Sequence, residues 1–352
     1  MKILFICDTM GSGGAERVIA TLSNGFVERG NNVSILMLSN ESNGSFYSLN
    51  KSIELSNLGL ESGGFLKKAK AIRKYVLNKK PDIVISFLSY VCIYTWWALR
   101  PTKIPYIVSE RNDPHQRGRL KQYLLNKSFR RAAGCVFQTE DAYKWYIKVA
   151  RNKSIIIYNP VKLDFLPGTC NERKQQVLYV GRYSEQKNIF MLVDAFKLFS
   201  RENPSFKLKM FGNGPLEYKL KQKVIDEDLC DKVSVLPNSK TWQQDEFDSS
   251  LFLLTSNFEG MPNVLAEALC LGIPSVAVDC PIGGPKELKK LFPKLLSLSD
   301  SNPRNICNKM KEMLLTKNDK CLVPKELEVD TIVDKWISFI NDLLKKERNH
   351  VW

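Results

Sequence analysis

The chain has 352 residues, more than one hydrophobic core comfortably serves, and its length implies two domains. Its 44% hydrophobic and 25% charged residues belong to a folded globular protein and exclude a disordered one. The net charge of +15 is unevenly placed: residues 1–160 hold 24 Lys/Arg against 11 Asp/Glu, the remainder 28 against 26, so the two halves are expected to meet different partners.

In chain order, Ile3–Cys7 reads as a buried strand. The opening Met-Lys-Ile-Leu-Phe-Ile-Cys-Asp turns acidic too soon for a signal peptide. No apolar run reaches the roughly 18 residues of a membrane span, and a cytoplasmic protein is expected. The loop Gly11-Ser-Gly-Gly14 follows, then a helix Ala15–Arg29 with Val18, Ile19, Leu22 and Phe26 at helical spacing, ended by Gly30. Val33–Leu38, the weaker Ile53–Leu58, Ile83–Phe87, Tyr106–Ser109 and Cys135–Gln138 read as strands and Phe65–Asn78 as a helix. Such alternation implies an α/β fold with a parallel doubly wound sheet. Tyr158-Asn-Pro-Val161 reads as a hinge, and the unperiodic residues to Arg173 as a linker.

The second half repeats the scheme. Val177–Val180, Lys207–Phe211, Val233–Leu236, Leu251–Thr255 and Ser275–Val278 read as strands, and Asn188–Arg201, Leu216–Asp226 and Asn263–Cys270 as helices. Ile306–Leu315 and Ile332–Lys346 close the chain as amphipathic helices. The expected domains are 1–163, onto which a helix of about 331–347 packs back, and 174–330, facing each other across a cleft. Nine scattered cysteines form no C-x-x-C pair, and with only His115 and His350 there is no metal constellation.

Ser256-Asn-Phe-Glu259-Gly-Met-Pro-Asn-Val-Leu-Ala-Glu267-Ala carries the most chemistry. Glu259 ends a strand, Gly260 and Pro262 shape a turn, Asn263 can cap the following helix, and Glu267 lies one turn inside it. Two carboxylates at the mouth of a sheet suit sugar hydroxyls; a solvated loop Glu and a helix-face Glu are the competing reading. Gly212-Asn-Gly-Pro215 opens a helix, where backbone amides make an anion site, or it is a simple turn. In Gly181-Arg182-x4-Lys187-Asn188 a planar fork and a point charge suit a diphosphate, unless both are solvated surface cations. Gly11-Ser-Gly-Gly14 lacks the G-x-G-x-x-G spacing of a dinucleotide site. Gly283-Gly-Pro-Lys-Glu287 places amides beside a phosphate, or is a structural turn.

In their order and spacing these motifs resemble family 4 of the nucleotide-sugar glycosyltransferases, of GT-B fold with two Rossmann-like domains. The resemblance rests on Gly-Gly-Ala-Glu-Arg17, the Asn-Pro-Val161 hinge, Gly-Arg-x4-Lys-Asn188, Gly-Asn-Gly-Pro215 and the E-x7-E pair Glu259/Glu267. It implies a retaining transferase in which Arg182 and Lys187 neutralise the departing diphosphate without a metal or other cofactor. Glu259 then holds donor-sugar hydroxyls, helped by amides near Met261–Val264, and Glu267 binds the ribose. Gly13, Gly14, Gly181, Asn188, Gly212, Gly214, Pro215, Gly260, Pro262 and Asn263 complete the substrate-binding set. Members of similar appearance share Ser-Glu-(His/Arg)-Asn, here Ser109-Glu-Arg-Asn112, and build bacterial lipid-linked glycans. Many carry a histidine where this chain has Arg111, a cation that can contact phosphate or hydroxyl but is no general base. His115, four residues on, either substitutes for it or is an ordinary loop histidine.

The resemblance implies transfer of a hexose or N-acetylhexosamine, with galactose or N-acetylgalactosamine favoured, from a UDP-sugar to an undecaprenyl-diphosphate-linked glycan of O-antigen or capsule type. A GT-B epimerase or phosphorylase is the alternative. Residues 62–81 hold Lys67, Lys68, Lys70, Arg73, Lys74, Lys79 and Lys80 with no acid, and residues 114–139 include Arg117, Arg119, Lys121, Arg130 and Arg131, again with no acid. Such basic amphipathic segments suit an anionic membrane surface, here the inner face of the plasma membrane. No nucleic-acid module is present, and nucleic acid is not an expected partner.

Overall fold

Apolar runs such as Ile3–Cys7 and Leu251–Leu254 make a central strand in each sheet, as burial on both faces requires. A computed structural model describes residues 1–39, 44–60, 64–111, 113–150, 153–163, 165–167, 170, 172–316 and 321–349. Asn112 of the Ser109-Glu-Arg-Asn112 pattern, His350 and parts of the linker before Arg173 lie outside the described residues. Contacts divide the chain into two units: Met1–Pro160 with Lys325–Trp352, and Val161–Pro324.

The first unit runs β1 (Lys2–Cys7), α1 (Gly14–Glu28), β2 (Asn32–Met37), β3 (Glu54–Asn57), α2 (Phe65–Lys79), β4 (Ile83–Phe87), α3 (Ser89–Leu99), β5 (Tyr106–Ser109), α4 (Arg119–Arg131), β6 (Gly134–Phe137), α5 (Glu140–Ala150) and β7 (Ser154–Ile156). Its sheet has the order β3-β2-β1-β4-β5-β6-β7, every pair parallel. The second unit runs β8 (Lys174–Val180), α6 (Ile189–Glu202), β9 (Lys207–Phe211), α7 (Glu217–Asp226), β10 (Val233–Leu236), α8 (Trp242–Asp245), β11 (Ser249–Leu254), α9 (Asn263–Cys270), β12 (Ser275–Val278), α10 (Gly284–Leu291), β13 (Leu296–Ser299) and α11 (Pro303–Leu314). Its sheet, β10-β9-β8-β11-β12-β13, is also parallel throughout. Each unit is a Rossmann-like layer of helices and sheet.

The final helix, α12 (Val329–Asn349), returns to the first unit. Ile332, Val333, Trp336 and Ile340 are buried in that unit's core, with Trp336 against Phe87 at 6.2 Å between ring centroids. Arg29, at the C-cap of α1, ties the same helix down through Asp330 at 2.8 Å and Asp334 at 2.5 Å. The second domain was expected to run to residue 330, but residues 325–330 pack with the first unit because they lead straight into α12.

α3 is absent from the sequence expectation for a physical reason. Ser89, Val91, Cys92, Ile93, Thr95, Trp96, Ala98 and Leu99 are all buried, so the helix has no polar face and no 3.6-residue stripe to reveal it. It lies between α2 and α4 and contacts both. The basic segments are less free than their composition implies. Arg73 donates to the carbonyls of Ala98 at 2.8 Å and Trp97 at 3.4 Å, capping the end of α3. Lys79 pairs with Glu54 at 2.6 Å. Arg117, expected on the exposed basic face, instead forms a buried pair with Glu110 at 2.8 Å and donates to the Tyr146 hydroxyl at 2.7 Å. A guanidinium so held does not reach a membrane. Lys67, Lys70, Lys74, Arg119, Lys121, Arg130 and Arg131 remain exposed, as do Leu66, Leu120 and Tyr123, while Lys68 is half-buried over the Tyr94 ring.

Candidate functional site

In a doubly wound sheet ligands gather beyond the carboxyl ends of the strands where the winding reverses. In the second sheet that point lies between β8, which leads outward to β9, and its other neighbour β11. Lys187 comes from the loop after β8 and Glu259 from the loop after β11, and they meet there, Nζ to Oε1, at 2.5 Å. The Ser256 hydroxyl donates to the same Oε1 at 2.6 Å. Glu259 Oε2 has no donor among the described residues.

Hydrogen bonds between the two loops fix this geometry. Thr255 Oγ1 donates to the carbonyls of Lys187 and Asn188, both at 3.1 Å. The Asn257 amide donates to Gln186 O at 2.8 Å, its side chain to Glu185 O at 2.8 Å, and Gln186 Nε2 to Phe258 O at 3.0 Å. Asn188 holds a left-handed backbone, φ 46°, which Asn tolerates better than most residues, and its side chain reaches Asn257 at 3.0 Å. Beneath them Tyr179 is buried beside Glu259, and burial with that negative neighbour raises its phenol well above the ordinary value. The hydroxyl therefore stays protonated and donates to Arg182 O at 3.1 Å.

Arg182 is exposed, and its side chain makes no ion pair among the described residues. Arg182 and Lys187 are thus held differently: one cation faces water and the other is spent on Glu259. Glu267, buried on α9, accepts from Gln243 Nε2 at 2.9 Å. Pro262 stands at the N-cap of α9 and makes no side-chain cap bond; Met261 precedes it, and Asn263 and Val264 open the first turn. Asn263, expected as the cap, is the first helical residue.

Two glycines act through close approach. A Cβ on Gly212 would overlap the carbonyl oxygen of Gly181, and one on Gly284 would overlap that of Gly260. The loops after β8, β9, β11 and β12 therefore pack backbone to backbone at one edge. Gly214 and Pro215 belong to the second of these loops, where Gly214 lies against the Tyr183 backbone. Gly212 thus serves the packing of the site, which its place in a Gly-x-Gly-Pro loop does not reveal.

In the first unit, Gly13 is the N-cap of α1 and Gly14 its first residue, with the Glu16 carboxylate lying against Gly13. The winding reverses between β1 and β4, where Leu88 adopts φ 71°, a costly conformation for a side chain branched at Cγ. Burial and the nearby negative charge of Asp8 raise the Tyr90 phenol above its ordinary value at that point. Arg111 is only 8% exposed. Its Nη1 donates to Asn159 Oδ1 at 2.5 Å, its guanidinium lies 3.8 Å above the Phe87 ring, and Gln138 also donates to Asn159. Burial pushes its pKa down to about 9, which keeps it charged at neutral pH. The expected substrate-facing cation is turned inward, linking the ends of β4, β5, β6 and β7.

Ser256, Gln243, Thr255 and Asn257 were not singled out from the sequence. Ser256 sits inside the motif that was; Gln243, on a four-residue helix, belongs to no motif.

The model of glycosyl transferases group 1 matches residues 166–347, and that of glycosyltransferase family 4 matches residues 12–165. The chain is 27% identical to a Campylobacter jejuni N-acetyl-D-galactosaminyltransferase that acts on a GalNAc-containing glycan on diphospho-undecaprenol, over 97% of this chain and 99% of the relative. It is 28% identical to the lipopolysaccharide 1,6-galactosyltransferase of Escherichia coli, over 82% of each. Among solved structures, Anabaena HepE in complex with UDP and glucose superposes with a TM-score of 0.77 at 17% identity, covering 97% of this chain and 99% of that one. Sucrose-phosphate synthase from Thermosynechococcus elongatus gives 0.76 at 14% identity, covering 99% and 98%. These likenesses show the GT-B fold, and with a family model spanning 166–347 of its 352 residues the chain belongs to the group 1 glycosyl transferases.

Proposed function

We propose that the protein is a retaining, metal-independent transferase of a hexose or N-acetylhexosamine, galactose or N-acetylgalactosamine by preference. The donor is a UDP-sugar and the acceptor a glycan on undecaprenyl diphosphate, in the synthesis of a bacterial surface polysaccharide. The observation that carries this reading is the Lys187–Glu259 pair at the switch point of the second sheet, with Arg182 exposed on the same loop as Lys187. The C. jejuni and E. coli relatives, named for N-acetylgalactosamine and galactose transfer, support the choice of sugar.

In this scheme Arg182 takes the diphosphate and Lys187 turns from Glu259 toward it as negative charge develops on the leaving group, which is electrostatic stabilisation. Glu259, released at Oε1 and open at Oε2, accepts from the sugar hydroxyls. Glu267 receives the ribose, and the start of α9 is turned to the sugar. Gly13 and Gly14, at the start of α1, approach a phosphate once the Glu16 carboxylate moves off Gly13. The exposed lysines and arginines of α2 and α4, with Leu66, Leu120 and Tyr123, rest on the anionic inner face of the membrane. Among the described residues no helix is long and apolar enough to cross a membrane.

The purified protein is offered a panel of UDP- and GDP-sugars, with and without a lipid-linked acceptor, and release of free nucleotide is followed. UDP release from one hexose or N-acetylhexosamine donor, unaffected by EDTA and giving a product of unchanged anomeric configuration, is expected. No release from any donor overturns the reading, and loss restored only by a divalent ion overturns the metal-free clamp. Co-sedimentation with anionic vesicles is expected to weaken with salt, and binding unchanged at about 1 M NaCl removes the electrostatic docking.

A further inference from the structure

We infer that Asp113, His115 and Trp145 form a pyranose-binding subsite on the first unit, which takes a sugar ring of the acceptor; this rests on the transferase reading above. His115 follows β5 and Trp145 lies on α5, which follows the neighbouring strand β6. Their rings meet edge to face, 4.4 Å between centroids. Both are open to solvent, Trp145 at 48% and the His115 side chain at 49%.

Asp113 is fully buried beneath them. Its Oδ1 accepts from the His115 amide at 2.9 Å and contacts His115 Nδ1 at 2.6 Å. A carboxylate only accepts, so Nδ1 carries the proton, and in the neutral ring Nε2 is left as an acceptor. Among the described residues Nε2 has no partner. Capping the short turn at Pro114–Gln116 accounts for the bond to the amide but not for the bond to the ring. The other oxygen, Oδ2, is buried and has no partner among the described residues. A native fold leaves few such groups unsatisfied, and they gather at functional sites. Here the carboxylate serves to aim an imidazole.

A pyranose presents an apolar face of C–H groups and a rim of hydroxyls. An exposed indole offers the flat surface for the first, and an oriented imidazole beside it accepts from the second. Asp113 is a positioning residue, acting through His115. An exposed tryptophan is equally suited to the interface of a bilayer, and the test separates the two.

With two histidines in the chain, the imidazole Cε1–H resonances are few, and His115→Gln assigns them. Methyl α-glycosides of galactose, N-acetylgalactosamine, glucose and N-acetylglucosamine are titrated into the full-length protein, with glycerol as control. At least one glycoside should shift the His115 resonance saturably while glycerol does not. The shift should be lost in Trp145→Ala, weakened in Asp113→Asn and retained in Lys187→Ala. Absence of any shift, or its persistence in Trp145→Ala, overturns the subsite. So does a blue shift of Trp145 fluorescence on anionic vesicles without any response to glycosides. With a donor in hand, His115→Gln and Trp145→Ala should raise the acceptor KM about tenfold. Absence of wild-type donor turnover would remove the transferase reading, whereas the glycoside titration decides the subsite by itself.

Discussion

Lys187 and Glu259, 72 positions apart in the chain, form an ion pair of 2.5 Å across the two loops at the switch point of the second sheet. Their side chains are 16% and 8% exposed, so removing one strands the other in a poorly solvated place, at a cost of about 3 kcal/mol. Lys187→Ala is therefore expected to be less stable to urea than the double variant Lys187→Ala/Glu259→Gln. Donor turnover should fall about 10²- to 10³-fold in either single variant, with the double variant far from additive. A double variant as unstable as Lys187→Ala, or additive losses of activity, would show that the residues do not act as a pair.

Gln243 donates to Glu267, the carboxylate proposed above to bind the ribose, at 2.9 Å. Gln243→Ala is expected to raise the donor KM about five- to tenfold with kcat unchanged, the pattern of lost uniform binding. Steady-state kinetics at saturating acceptor would decide it, and a fall in kcat at constant KM would place Gln243 in the chemistry instead.

Arg111 is a charge the fold tolerates rather than favours. Burial pushes it from 12.5 down to about 9, so the folded state disfavours the cation, and the penalty is complete below pH 9 and diminishes as pH rises past it. Arg111→Met is expected to equal or exceed the parent in stability at pH 7, with a Tm higher by about 2–4 °C. That advantage should be smaller at pH 10. Calorimetry at the two pH values tests it, and a Tm lowered at pH 7 would show that the bonds to Asn159 and the Phe87 contact outweigh desolvation.

Trp336 is buried against Phe87 in the first unit only. Trp336→Ala should cost about 3–5 kcal/mol and should lower the unfolding transition of that unit while leaving the second unit in place. Urea unfolding followed by hydrogen exchange at α1 and α6 would report the two units separately, and equal loss of protection at both helices would contradict this.

The fold was legible wherever burial is periodic or one-sided. Ile3–Cys7 and Leu251–Leu254 read as strands because a parallel sheet needs unbroken apolar runs, and α1 as a helix because one face is wet. α3 was not, having no wet face. For the candidate site, Glu259 and Lys187 were each singled out, but their pairing depends on the neighbouring of β8 and β11, which no local pattern encodes. Arg117 looked like part of a solvated basic stretch because its partner Glu110 precedes that stretch and the burial of both is a tertiary fact. His115 read as a loop residue or a stand-in for a missing base, since Trp145 is 30 residues away and its contact with the imidazole is visible only in the fold.

The return of α12 to the first unit makes residues 161–324 an insertion within that unit. A chain leaving the ribosome therefore completes the second sheet before the first has its last helix. Until Trp336, Ile340 and the partners of Arg29 emerge, α1 and the ring of Phe87 lack the surface that covers them. The returning helix thus works as a clasp, so that a nascent chain stalled before it would carry a finished second unit and an open, aggregation-prone first one.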